Sequence, residues 1–146
     1  MVARQVFLAI ALLTGAAVAE EVTEVPDGSP VAEAVALAKA GKYGESERLM
    51  VELVASEPNN ADAWSQLGFA RRKQHKHDIA LEAYQRALAL APLHKGANEY
   101  LGELYVETDQ IEKAQERVEV LRRACPQGCE ELDDLLAALE DKEHQH

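Results

Sequence analysis

Residues 61–94 read ADAWSQLGFARRKQHKHDIALEAYQRALALAPLH, and this stretch decides the fold. Its apolar residues fall in two runs at helical spacing. The first, from about Asp62 to Lys73, carries Trp64, Leu67 and Gly68; the second, from about Asp78 to Leu90, carries Ala80, Leu81, Tyr84, Ala87 and Leu88. A short polar turn separates them, and Pro92, which cannot continue a helix, closes the second. The stretch therefore predicts an antiparallel helix hairpin. Sliding the whole sequence against itself by 34 residues superimposes Pro58, Pro92 and Pro126; Ser46, Ala80 and Ala114; Met50, Tyr84 and Val118; and Leu53, Ala87 and Leu121. Leu67 and Gly68 likewise fall on Leu101 and Gly102. A fixed period of this length marks stacked repeats of one supersecondary unit. Glycine inside a helix costs about 0.5–1 kcal/mol relative to alanine. Gly68 and Gly102 at one phase thus predict close helix approach, with Gly68 expected against Ala80 across the hairpin.

These columns resemble the tetratricopeptide repeat. In residues 61–94 Trp64, Leu67, Gly68, Ala80, Tyr84, Ala87 and Pro92 stand at that family's signature phases, with Arg71 where an aromatic is usual. Residues 95–128 keep Leu101, Gly102, Tyr105, Ala114 and Pro126 but carry Asn98 in the tryptophan column. Residues 29–60 form a degenerate first unit: Gly41, Tyr43, Leu53 and Pro58 align, whereas Pro30, Glu33 and Ala34 fill the first helix's signature columns. Ser29 before Pro30 is nevertheless a good helix start. After Pro126, Leu132, Leu135, Leu136 and Leu139 at helical spacing predict a capping helix over residues 129–141, which would shield the apolar flank of the last hairpin. The expectation is an all-α solenoid of three hairpins plus this cap, with a polar tail at residues 142–146.

The chain of 146 residues is about half apolar and poor in aromatics, which suits one helical domain better than a β sandwich. At its start Arg4 precedes an apolar run from Val6 to Leu13 and a small-residue ending, Ala17-Val18-Ala19, the pattern of a secretory signal cleaved after Ala19. The uncharged stretch is shorter than the roughly 20 residues a spanning helix needs. A periplasmic or secreted protein is expected, entered by a flexible acidic linker at residues 20–28. The formal net charge of -11 disfavours nucleic acid and anionic membranes as partners. A protein segment with apolar and basic groups fits the charge better.

The resemblance implies that the first helix of each hairpin lines a concave groove. Its columns here hold Val31, Val35, Ala38 and Lys39; then Ser65, Gln66, Phe69, Arg72 and Lys73; then Glu99, Tyr100, Glu103, Val106 and Glu107. Glu99, Glu103 and Glu107, spaced by four, predict an acidic stripe. Val35, Ala38 and Phe69 predict an apolar patch beside Arg72 and Lys73. Glutamates on a helix face are also ordinary solvation, and basic residues in a last turn also complement the helix dipole. The residues that clamp a terminal carboxylate in one subfamily are absent, since Val31, Val35, Gln66, Gly96 and Tyr100 hold those columns.

Cys125 and Cys129 are the only cysteines. In an exported chain they predict a disulfide that pins the cap to the last repeat, worth about 2 kcal/mol for so short a loop. The alternative is a small metal- or thiol-handling protein using these cysteines or the pairs His75/His77 and His144/His146. His94 stands at the far end of a helix from the first pair and cannot share an ion with it. Three residues between the cysteines, where the common redox motif has two, weigh against thiol chemistry. No nucleophile motif or phosphate loop is present, so neither an enzyme nor a resident cofactor or metal is expected. Self-association through an exposed flank remains open.

Overall fold

The computed structural model describes residues 28–145. The expected export signal at residues 1–19, and all of the linker except Gly28, lie outside the described residues. Among the described residues there are seven helices and no strand: α1 (Pro30–Lys39), α2 (Tyr43–Ser56), α3 (Ala61–Lys73), α4 (His77–Leu90), α5 (Lys95–Glu107), α6 (Ile111–Ala124) and α7 (Glu130–Glu143). They form the solenoid of hairpins that the period predicts. Consecutive helices pair as α1 with α2, α3 with α4 and α5 with α6, and the first helices α1, α3, α5 and α7 touch in sequence. That second set of contacts aligns one face of each unit into a continuous surface.

The helix boundaries follow local chemistry. The helices α1, α3 and α5 are each capped by a side chain on an orphan N–H, whereas α7 is not: Ser29 accepts from Ala32, Asn60 from Ala63, and His94 through Nδ1 from Ala97. Such caps are worth about 1 kcal/mol for serine and asparagine. The second helices α2, α4 and α6 have no side-chain cap. They begin from a turn whose backbone repeats at the same period. Gly41, His75 and Asp109 all take left-handed φ, at 76°, 60° and 59°. The following N–H of Lys42, Lys76 and Gln110 donates to the carbonyl of Leu37, Arg71 and Tyr105 in turn. This is the six-to-one bond that closes a helix over a left-handed residue. Glycine adopts that conformation freely and histidine does not. His75→Gly is therefore expected to raise the urea midpoint by an amount equivalent to about 0.5–1 kcal/mol.

Packing runs seam by seam. Ala34, Met50, Leu53, Ala63 and Leu67 fill the space between the first and second units. Tyr84, Leu101 and Leu104 join the second to the third, and Val106, Val118, Leu121, Leu132 and Leu135 bring in α7. The glycine column meets large side chains. A Cβ on Gly68 would stand 2.5 Å from the Tyr84 ring, and one on Gly102 would stand 2.5 Å from Leu135 of α7. Tyr84 and Leu135 are both fully buried, so neither can swing aside. Gly68→Ala is expected to cost about 1–3 kcal/mol in a denaturant melt, although alanine normally favours a helix.

Asn98 shows why the tryptophan column tolerates an amide. Trp64 Nε1 donates to the Pro58 carbonyl at 2.8 Å, and Asn98 Nδ2 donates to the Pro92 carbonyl, one period later, at 3.1 Å. The hydrogen bond is kept and the ring volume is not. The last helix also departs from its expected bounds. Lys142 and Glu143 belong to α7 rather than to a tail, and Lys142 Nζ lies 2.7 Å from Asp109. Leu135 shares a column with Leu67 and Leu101, so α7 has the register of a further first helix.

Candidate functional site

The face expected to form the groove is built from α1, α3 and α5, with α7 at its end. Six of the expected groove residues, Val35, Ala38, Lys39, Gln66, Phe69 and Tyr100, line one hollow of about 270 Å3 together with Tyr43. Tyr43, the first residue of α2, was visible in the sequence only as a repeat column. It forms one end of an aromatic series: Tyr43 to Phe69 at 6.4 Å, Phe69 to Tyr100 at 4.8 Å, and Tyr100 to Tyr84 at 6.4 Å between ring centroids. These are tilted and edge-to-face contacts in the range where aromatic pairs attract. Phe69 is half-buried, and two cations flank it. Arg72 Cζ is 5.6 Å and Lys73 Nζ 5.8 Å from its centroid.

Gln66 is less available than its column implies. It is buried, and its Nε2 donates to Ser46 Oγ at 3.3 Å while Ser46 Oγ donates to the Ala34 carbonyl at 2.8 Å. The network ties the first unit to the second through polar groups that burial would otherwise leave unsatisfied.

Arg72 and the acidic stripe require a correction. Arg72 does not present a free charge to the groove; it is only 4% exposed, and its two terminal nitrogens are bonded to Glu103 and Glu107 of α5. Spacing by four on α5 puts both carboxylates in reach of one guanidinium, whose planar fork suits two acceptors. Two of the stripe's three carboxylates thus share one internal cation. Burial pushes the Glu103 carboxyl above the usual range, and Arg72 offsets only part of the rise. Glu99 is different. It is 8% exposed, and burial, followed by repulsion from Glu103, Asp134 and Glu131, pushes its carboxyl up to about 8. Burial, followed by Glu99, Glu103 and Glu131, pushes Tyr100 up to about 12, so its phenol stays protonated.

A larger hollow, about 760 Å3, lies away from this face between α6 and α7. Its apolar floor is Val118, Leu136 and Leu139, and its rim carries Glu112, Glu116, Glu119, Glu140 and Glu143. Among the histidines, His75 and His77 have ring centroids 5.9 Å apart, whereas His94 is committed to capping α5 and to Asp62 at 2.6 Å. No group of three or more His, Cys, Asp or Glu side chains is arranged to hold a metal ion among the described residues. Cys125 and Cys129 are bridged across the turn into α7, with Cα atoms 6.0 Å apart.

A family model described as tetratricopeptide repeat matches residues 61–93. Residues 61–93 are thus a tetratricopeptide repeat. Solved structures agree with this repeat fold at low sequence identity. The type III secretion translocator chaperone SycD of Yersinia enterocolitica, in its alternative dimer, superposes with a TM-score of 0.69 at 15% identity, covering 80% of this chain and 90% of that one. The first tetratricopeptide-repeat domain of human RPAP3 superposes with a TM-score of 0.66 at 21% identity, covering 80% of this chain and 94% of that one. Among curated proteins, Protein FlbA of Caulobacter vibrioides is 28% identical over 123 residues, which is 84% of this chain. The chain spans 21% of that relative's length.

Proposed function

We propose that this chain is an exported scaffold whose concave face docks a segment of another exported protein. An apolar side chain of that segment enters the hollow over Phe69, and its basic groups turn toward the acidic α5 and α7 end. The observation that carries the reading is the hollow itself, where three successive helical layers, α1, α3 and α5, contribute to one aromatic-floored recess. Repeat solenoids present their binding surfaces on such concave faces. A half-exposed phenylalanine between tyrosines is the kind of anchor site that a partner's apolar side chain completes. The order of charges along the face, Lys39 and Lys73 near the hollow and Glu99, Glu131 and Asp134 beyond it, gives the segment a direction.

Photo-crosslinking tests the reading. A benzophenone side chain at Val35, in protein recovered from its native compartment, is expected to label one partner, through a peptide that carries an apolar residue near a basic one. Phe69→Asp should abolish the adduct. Equal labelling from Glu82, exposed on the second-helix layer, would remove the concave face from consideration.

The cysteines take a structural place in this proposal, closing the turn before α7 and packing against the cluster of Leu121, Leu132 and Leu135. Alkylation of the native protein is expected to add no mass, and alkylation after reduction to add two labels. Two labels without reduction would return the thiol-handling alternative to the field.

A further inference from the structure

The seams between successive first helices differ in charge along the concave face. At the columns of Glu99, Glu131 and Asp134, the earlier units place Val31, Ala63 and Gln66, and then Ser65, Ala97 and Tyr100. Neither earlier set contains a charge, whereas the α5–α7 seam has three acids. Glu99 is buried to 8% exposure, and its carboxyl makes no hydrogen bond or ion pair among the described residues. Arg72, whose charge reaches Glu99, is itself bound to Glu103 and Glu107. An acidic residue buried without a cation is costly to the fold, and a neutral side chain of similar shape would avoid that cost. The first two units do avoid it at the same column.

We propose that Glu99, with Glu131 and Asp134, forms a seat for a lysine or arginine side chain of the docked segment. The inference rests on the concave-face reading above and specifies where its basic group goes. Glu103 and Glu107 already have their cation, so the seat lies at the α7 side of α5 rather than along the whole stripe. The partner's cation would do at this seam what Arg72 does at the preceding one. The upward displacement of the Glu99 carboxyl means that the empty seat holds a proton near neutral pH. The incoming cation then releases that proton to solvent. The charged and titratable groups facing Glu99 are Glu103 and Tyr100 on its own helix, Arg72 on α3, and Glu131 and Asp134 on α7. Of these, only Arg72 favours ionisation, so capture should strengthen as pH rises through the Glu99 titration.

The test is a carboxyl-detected NMR titration of the intact protein with N-acetyl-arginine amide, with N-acetyl-citrulline amide as the uncharged counterpart. The expected result is a saturable change concentrated at Glu99, Glu131 and Asp134, with the Glu99 midpoint moving to lower pH as the arginine amide is added and unmoved by the citrulline amide. Glu99→Gln copies the protonated carboxyl in shape, and should abolish the localised response without lowering the thermal midpoint. Changes spread evenly over the acidic residues, or a response unaltered by Glu99→Gln, would overturn the seat. The probe has no aromatic or branched apolar group for the Phe69 hollow. Its failure would therefore leave the crosslinking test standing, and crosslinking failure with arginine seated at Glu99 would remove the hollow alone.

Discussion

Replacing Arg72 by leucine is expected to destabilise the protein by about 2–4 kcal/mol, a loss of roughly 10 °C in thermal midpoint for an array of this size. Leucine fits the buried site in volume, so the loss comes from the carboxylates left behind. Glu103 is partly buried and would keep its desolvation without its partner. Glu107 is 41% exposed, and water screens it, which is why the figure lies toward or below the low end for a broken buried pair. Arg72→Lys should recover less than half of the loss, because a single ammonium cannot reproduce two forked bonds. Adding Glu103→Gln and Glu107→Gln to Arg72→Leu should restore much of the stability, since the strain is the unpaired charge. A triple variant as unstable as Arg72→Leu alone would show that packing against Phe69 and Tyr84, and not charge, is what Arg72 supplies.

Glu99→Gln is expected to act in the opposite direction and to depend on pH. The folded carboxyl titrates at about 8, against an ordinary value of 4.5. Between those values the folded state holds a proton that the unfolded state releases, so the Glu99 contribution is most favourable in acid and declines as pH rises. The stabilisation by Glu99→Gln should be near zero at pH 4 to 5 and reach on the order of a few kcal/mol at pH 8 to 9. Glu103, also raised, contributes a slope of the same sign. Glu47 has the opposite sign. Burial raises it, but hydrogen bonds from Lys76, Gln74 and Arg71 more than offset this and hold it below the ordinary value. Its contribution is complete above the ordinary carboxylate value and is lost as pH falls through the folded one. Urea melts of both proteins at pH 5, 7 and 9 separate these effects. A constant difference between wild type and Glu99→Gln would mean that Glu99 is ionised throughout.

The hairpins were legible because the repeat writes the same buried columns several times, and a helix needs only its own neighbours to start and stop. Pro58, Pro92 and Pro126 mark the second-helix ends wherever they occur, and Ser29 and Asn60 cap regardless of what packs beyond them. Partner choice across seams was not legible in the same way. That Tyr84 is the side chain nearest to Gly68 was not legible, because the depth of a ring depends on the helix crossing, which spacing alone does not fix. Arg72 pairs with Glu103 and Glu107, residues in a different unit, and its own column in the third unit holds Val106, so no periodicity announces the pair. The hollow was mostly legible. Six of its lining residues were read from their columns, whereas Tyr43 enters from the start of a second helix, where spacing gives no hint of a place in the hollow. The acids of α7 were hidden by treating that helix as a lid over apolar residues, although its offset of 34 from α5 was available as a signal.

Trp64 is the sole tryptophan, and it sits at the first seam with its indole N–H on the Pro58 carbonyl and Arg86 5.7 Å from its ring. Its fluorescence therefore watches one boundary of the array, while the far-ultraviolet dichroism watches all seven helices of the described residues together. A solenoid is held by neighbour-to-neighbour interfaces, and its ends can open before its middle. If α7 detaches first, the dichroism should begin to fall while the indole emission holds its native maximum, and the two melting curves will separate. The protein thus carries an intrinsic optical gauge of whether its repeats come apart together or in order.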